Sequence, residues 1–332
     1  MGNNNSTTVS SSIEEMIEAT KKKPKKILVP LPTIGYDPTE TCVAVTLLKK
    51  NMGHTIIFAT PDGKMSEGCD PHVLQGFVKG LLLKTKPEVV EYYTDMITWE
   101  EYLNPISYDN IVPNNYDALV LVGGHHPGMK TFLASKILHD KISEFYSLST
   151  TTSATTKPKP IAAICHGTLC LSRAATITTK EDDGKGKPLL HGRKFTTLPK
   201  WLEYQGYLIS NYLSGGLLPG KEYQLSTTWP VFVEDEIRQS ITMDNSDNDN
   251  NISTTELLIG PYDVLSPLLP GNSTNPSRNA FVVVDDDNDN ATAGGTGAGA
   301  GAGGRLPPLV TARFWSDSYL WTMKFGEILE KY

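Results

Sequence analysis

Short apolar runs that alternate with segments of helical period predict an α/β protein, a mainly parallel sheet with helices on both faces. Three observations carry that prediction. The runs Ile27–Leu31, Ile56–Ala59, Ala118–Val122 and Ile161–Ile164 are almost wholly apolar, as strands covered on both faces must be. Amphipathic stretches follow several of these runs, and the connecting loops carry Pro and Gly.

The elements follow in order. Ile27–Leu31 reads as a strand, residues 39–52 as a helix and Ile56–Ala59 as a second strand, together one strand, helix, strand unit. Ala118–Val122 is a buried strand ending in Gly123-Gly124, and residues 131–146 have amphipathic helical spacing. Ile161–Ile164 runs into Cys165-His166-Gly167, and residues 168–175 have helical composition. The cysteine therefore falls on a tight strand-to-helix turn. An aromatic-rich segment follows at 199–213, then an acidic amphipathic stretch at 231–241 and a strand over 280–284. A short strand near Leu309–Ala312 and a helix over 316–331 complete the chain. Reactive groups in such sheets gather at the carboxyl ends of the strands.

At roughly 100–200 residues per domain, a chain of 332 residues has room for one enlarged domain or two ordinary ones. Residues 1–24, 149–157, 180–187, 243–254 and 285–305 are polar or low in complexity, and read as a tail and four surface insertions. The expectation is a disordered basic tail over 1–25 and one α/β domain over 26–332. Acidic residues outnumber basic ones 37 to 30, for a net charge of -7, which argues against a nucleic-acid partner. No apolar run approaches the ~18 residues of a membrane span, and the N-terminus lacks the apolar core of a secretory signal. A soluble cytoplasmic protein is expected. Cys42, Cys69, Cys165 and Cys170 are too sparse for a disulfide framework, and no zinc spacing accompanies them.

Three loops at predicted strand ends carry unusual residues: Asp37-Pro38-Thr39-Glu40, Gly123-Gly124-His125-His126-Pro127-Gly128 and Cys165-His166-Gly167. Together they would ring one pocket. A cysteine on such a turn is expected to be exposed, with nearby amides and the helix dipole favouring the thiolate. The same turn offers N–H groups to a developing oxyanion. The plain alternative is a buried packing cysteine. An adjacent His166 as base, a small Gly167 and the Gly-Gly loop favour chemistry.

These residues carry a resemblance to the ThiJ/PfpI superfamily, also called the DJ-one family, within the class I glutamine amidotransferase-like fold. The matching motifs are Tyr36-Asp37-Pro38-Thr39-Glu40, Gly53-His54, Phe58-Ala59-Thr60-Pro61-Asp62-Gly63, Gly123-Gly124-His125, Pro127-Gly128-Met129 and Ala162-Ala163-Ile164-Cys165-His166-Gly167. Leu190-His191-Gly192-Arg193 and Leu198-Pro199-Lys200 follow. They resemble a microbial subgroup. The resemblance implies a flavodoxin-like three-layer sandwich with Cys165 on a nucleophile elbow. Glu40 matches the glutamate that hydrogen-bonds the thiol, and His166 the histidine that follows it in hydrolase-like branches. Gly124 matches the loop whose amide, with that of His166, forms the oxyanion site. Glu203 stands where the glyoxalase-like chaperone branch has its third residue, although a solvated helix charge is an equal alternative.

Glu234-Asp235-Glu236 reads as a solvated acidic face. His125 and His126 follow the double glycine, where an imidazole can contact substrate. No metal is expected there, because no Asp/Glu/His spacing supports one, and no cofactor is implied. The Gly/Ala tract 294–304 lacks the Lys-Ser/Thr of a phosphate loop and reads as a flexible loop.

The leading functional expectation is a Cys-dependent enzyme acting on small reactive carbonyls, converting methylglyoxal to lactate without glutathione. Amide or peptide hydrolysis uses the same elbow. A redox or stress sensor with chaperone-like binding is the non-enzymatic alternative. Glutamine amidotransfer is disfavoured, because no C-terminal His-x-Glu exists. Met1-Gly2-Asn3-Asn4-Asn5-Ser6 fits an N-myristoylation pattern, and Lys21, Lys22, Lys23, Lys25 and Lys26 would add the second signal for weak membrane association. An Asn/Ser tail that merely begins with Gly is the preferred reading. The resemblance also implies a homodimer.

Overall fold

The computed structural model describes residues 23–75, 85–150, 158–176, 186–208, 231–243, 255–261, 279–286 and 305–332. The elements in chain order are β1 (Lys26–Pro30), α1 (Pro38–Thr46), β2 (Thr55–Thr60), α2 (Pro71–Gln75), α3 (Pro87–Met96), α4 (Glu100–Leu103), β3 (Ile106–Ser107) and β4 (Ala118–Leu121). Next come α5 (Lys130–Leu133), α6 (Lys136–Ser149), β5 (Ile161–Ile164), α7 (Thr168–Arg173), β6 (Lys194–Phe195), α8 (Lys200–Leu208) and α9 (Val233–Met243). β7 (Glu256–Leu257), β8 (Val282–Asp285), β9 (Leu309–Ala312) and α10 (Ser318–Lys331) complete the order.

Seven strands form one sheet in the order β3-β2-β1-β4-β5-β9-β8, and β6 pairs with β7 apart from it. All the pairings are parallel except β8 with β9. This is an α/β fold with a mainly parallel sheet flanked by helices. The order moves outward from β1 to β2, then returns to place β4 on the other side of β1. With right-handed crossovers, that reversal puts α1 and α6 on opposite faces. α1 accordingly packs against α3 and α10, whereas α6 packs against α7.

The central strands are buried because both faces are covered. Ile27 pairs with Ile56, Leu119 with Ile161 and Ala162 with Val310, and none of the six is more than 1% exposed. Each large aliphatic side chain buried this way contributes roughly 1.5–3 kcal/mol.

Two sequence expectations change in detail. The helix expected over 131–146 breaks after Leu133, because the Ser135 Oγ accepts from Leu138 N at 3.2 Å and starts α6. The helix expected over 39–52 leaves α geometry after Thr46 and finishes in a π turn to Asn51.

The predicted insertions lie largely outside the described residues, as do Gly2, Lys21 and Lys22, residues 209–213 of the aromatic-rich segment and the Gly/Ala tract. The insertion limits need correction at both ends of the range. Ser149 is the buried last residue of α6, and Asp285 closes β8, where Arg193 Nε donates to its carboxylate. Lys26, counted with the basic tail cluster, opens β1 and donates its backbone N–H to Asp117 Oδ2 at 2.8 Å.

Two buried arginines clamp the strand edges. Arg193, 2% exposed, also donates to the Pro307 carbonyl at 2.8 Å. Arg313, 1% exposed, donates to Asp317 through Nε at 2.8 Å and Nη2 at 3.0 Å, and reaches the carbonyls of Pro261 and Asn279. Among the described residues, no helix is long and apolar enough to cross a membrane.

Candidate functional site

The carboxyl ends of β1, β4 and β5 deliver the site, at the point where the strand order reverses. Beyond β1, Asp37 Oδ1 accepts from Thr39 N at 2.8 Å and Glu40 N at 3.0 Å, and so caps α1. Pro38 takes the first helical position, where no N–H is needed. Glu40 in that first turn is fully buried, and its Oε2 accepts from Gly123 N at 2.9 Å. Asp37 N in turn donates to Gly123 O at 2.8 Å. Gly123 is a glycine for want of room: a Cβ there would stand 2.6 Å from Glu40 Oε2 and 2.7 Å from Cys165 Cβ.

Cys165 has φ +56°, the only positive φ outside glycine among the described residues. An L-residue held there stores roughly 1–2 kcal/mol of strain. The Thr168 hydroxyl donates to Cys165 O at 2.7 Å and holds the turn. Gly167, expected to permit the turn, has an ordinary helical φ of -57°. Its missing side chain serves close packing instead, since a Cβ would lie 2.4 Å from Leu121 O.

His166 folds back so that its Nδ1 lies 3.4 Å from Cys165 Sγ. On its other side Nε2 faces Glu203 Oε1 at 3.6 Å, an ion-pair distance just beyond a hydrogen bond. Glu203 comes from α8, and its Oε2 accepts from Val233 N at 2.8 Å at the start of α9. At 6% exposure it is not a solvated helix charge. Cys165, His166 and Glu203 thus form a chain of contacts, and Glu40 also meets the sulfur.

The two histidines of the glycine loop part company. His125 packs edge-on against His166, with ring centroids 4.6 Å apart, and is itself met by Trp315 at 6.5 Å. His126 instead accepts from Gly128 N at 3.0 Å and lies against Gly35, so it shapes its own turn. Sequence reasoning missed Trp315. Its signal was available: it follows β9 closely, at the carboxyl edge that also carries the other loops. Gly124 crosses the Gly35–Asp37 backbone, where a Cβ would meet Asp37 N at 2.9 Å.

The acidic cluster on α9 is not a solvated face. Glu236 accepts twice from Arg173, at 2.6 and 2.9 Å. Asp235 pairs with Lys200, and Glu234 accepts from Lys200 N and Arg238. The Arg173 and Lys200 contacts fasten α9 to α7 and α8, while the Glu234–Arg238 pair lies within α9.

Burial sets the protonation of the site. It pushes the Cys165 thiol well above its ordinary range, and the neighbouring carboxyls of Glu40 and Asp37 add to the push. Burial likewise raises Glu40, with Asp37 next in effect, and lifts Glu203 to about 7. It lowers His166 and His125 to about 3 each. No partner aligns with Glu40 Oε1, so the contact of this carboxyl with the thiol is an approach that a proton on either group can close. The expected exposed thiolate is therefore overturned. Cys165 is fully buried, and removing water costs a charged sulfur more than the turn's amides return. Among the described residues, no group of three or more His, Cys, Asp and Glu side chains is arranged to hold a metal ion.

A family model described as ThiJ/PfpI family-like matches residues 31–234, more than half of the chain. The chain belongs to the ThiJ/PfpI family. The match spans Glu40, the Gly123 loop, the Cys165 elbow and Glu203, and stops short of Trp315. Among curated proteins, an uncharacterized protein of Schizosaccharomyces pombe is 26% identical over 190 residues, which are 57% of this chain and 64% of that protein. The ThiJ/PfpI chain thus spans less than two thirds of that relative. The crystallographic structure of APC35852 matches with a TM-score of 0.54 at 17% identity, covering 93% of this chain and 99% of that one. The Francisella tularensis Rapid Encystment Protein 24 KDa matches with a TM-score of 0.49 at 14% identity, over 92% and 99% of the two chains.

Proposed function

We propose that this ThiJ/PfpI protein is a Cys-dependent enzyme acting on small reactive carbonyls such as methylglyoxal. The observation that carries the reading is the buried line from Cys165 Sγ through His166 to Glu203, 3.4 and 3.6 Å at its two steps. A neutral imidazole with its proton on Nε2 turns a lone pair toward the thiol and an N–H toward Glu203. His166, held near 3 by burial, is neutral at physiological pH and free to accept a proton.

The thiol adds to the aldehyde carbon as His166 takes its proton. The S–C bond forms, the carbonyl electrons move to oxygen, and the proton returns there to give a hemithioacetal. His166 then removes the proton from that carbon while the neighbouring ketone oxygen is protonated to an enediol. Transfer of the first carbon's hydroxyl proton to the second carbon leaves a hydroxyacyl thioester. Water attacks the thioester and expels the thiol, releasing the hydroxy acid. No external oxidant is consumed, since one carbon is oxidised as its neighbour is reduced. Glu203, lifted to about 7, stabilises the transient imidazolium once ionised.

Burial also ranks the alternatives. A peptide must reach a sulfur that is 0% exposed, which disfavours peptide hydrolysis relative to a substrate of a few atoms. The test is methylglyoxal loss and lactate formation by wild type and Cys165→Ala. Loss of turnover in the variant is expected, and equal rates overturn the reading.

A further inference from the structure

Asp37 has no place in the proton relay, yet it ties the Glu40 turn to the Gly123 loop. It is 2% exposed, its Oδ1 caps the turn that carries Glu40, and its backbone N–H holds Gly123 O. The Gly123 amide, fixed in this way, donates to Glu40. A hydroxyl or amide side chain caps a helix as well as a carboxylate does, so capping alone does not call for a buried acid.

We infer that Asp37 is a positioning residue of the Cys165 site, which fixes the Glu40 carboxyl against Gly123 and, when ionised, repels charge on the sulfur. The inference rests on reading Cys165 as a reactive thiol. The groups that face Asp37 are Glu40 and Cys42 on its own helix, Cys69 and Asp70 before α2, and Cys165 on the elbow. Asp317, which Arg313 pairs, acts on Glu40 from behind. Among the described residues, none of these groups is a cation. Burial lifts Asp37 to about 7, against the pull of its two backbone hydrogen bonds. Its charge therefore switches on as the pH rises through neutrality. Burial is the larger cause of the rise in Glu40, ahead of Asp37.

Asp37→Asn keeps the cap and removes the charge. The pH profile of Cys165 alkylation by iodoacetamide, read by peptide mass spectrometry, separates the two roles. Asp37→Asn is expected to label about tenfold faster than wild type above pH 8, a shift of about one pH unit, and to match it below pH 6. Asp37→Ser, a second uncharged cap, gives the same profile should the Asn variant fold poorly. Coincident profiles at all pH values, or slower labelling of the variants, overturn the inference and leave the reactive thiol standing. A Cys165 that labels in neither protein at any pH overturns both. The readout needs no carbonyl turnover, so an inactive but labelled enzyme removes the proposed function alone.

Discussion

The molecule buries carboxyl groups in two ways. At the β8–β9 edge, Asp285 and Asp317 each meet an arginine, and those arginines are 2% and 1% exposed. In the site, Glu40, Asp37 and Glu203 are also hidden, but neighbouring charges act to raise them or are buried imidazoles. Removing water from an unpaired carboxylate costs several kcal/mol, so such a group keeps its proton. A charge buried with a cation is a fastener. Buried without one, the carboxyl becomes a proton store near the working pH, which is what acid–base chemistry uses.

The largest expected effect breaks a fastener. Arg313→Met leaves the Asp317 carboxylate without its two side-chain N–H contacts and frees the carbonyls of Pro261 and Asn279. Urea denaturation is expected to show a loss of about 3–5 kcal/mol. Glu40→Gln is the contrasting substitution. It copies an already protonated carboxyl and keeps an acceptor for Gly123 N, so its expected cost is below about 1 kcal/mol. Equal losses in the two variants would erase the distinction between fastener and proton store.

A second, smaller effect sharpens the contrast through pH. Glu203 titrates near 7 in the folded protein, above its ordinary 4.5. A raised folded pKa contributes stability that is full below the unfolded pKa and lost as the pH rises through the folded one. Wild type is therefore expected to lose up to about 3 kcal/mol between pH 4.5 and 8 that Glu203→Gln does not lose. Denaturation midpoints at pH 5 and pH 8 measure the difference, and parallel behaviour of the two proteins removes Glu203 from the set of proton stores. The buried histidines act with the opposite sign. Lowered to about 3, they supply stability at neutral pH that fades as the pH falls from 6.5. The comparison must therefore be between variants rather than of one protein across pH.

The two classes were unequally legible in the sequence. β5 and β9 match the expected Ile161–Ile164 and Leu309–Ala312 to the residue, because strands covered on both faces leave unbroken apolar runs. β3, β6 and β7 span two residues each and are too short to leave any period. The elbow and the Glu40 turn were legible as strand-end motifs. The buried setting of the elbow was not, because His125 and Glu203, which enclose His166, each lie about 40 residues away in the chain. The Arg193 fastener reaches across 92 positions, and the run containing Asp285 read as a polar insertion.

The smallest effect lies where the two classes meet. Arg173, on the helix that leaves the elbow, donates to Glu236 at 2.6 and 2.9 Å and to Leu133 O at 2.8 Å. This pair is only partly buried, with side chains 13% and 17% exposed, so Glu236→Gln is expected to cost about 1 kcal/mol. It is nonetheless a fastener whose charges reach the site. Arg173 lowers the His166 pKa and Glu236 raises it, behind the larger effect of burial. Removing the carboxylate leaves the guanidinium unopposed, so the imidazolium that follows thiol attack becomes harder to form. Carbonyl turnover in Glu236→Gln is expected to fall by about threefold while the fold holds. A larger fall in stability with unchanged turnover would instead confine this pair to the fasteners.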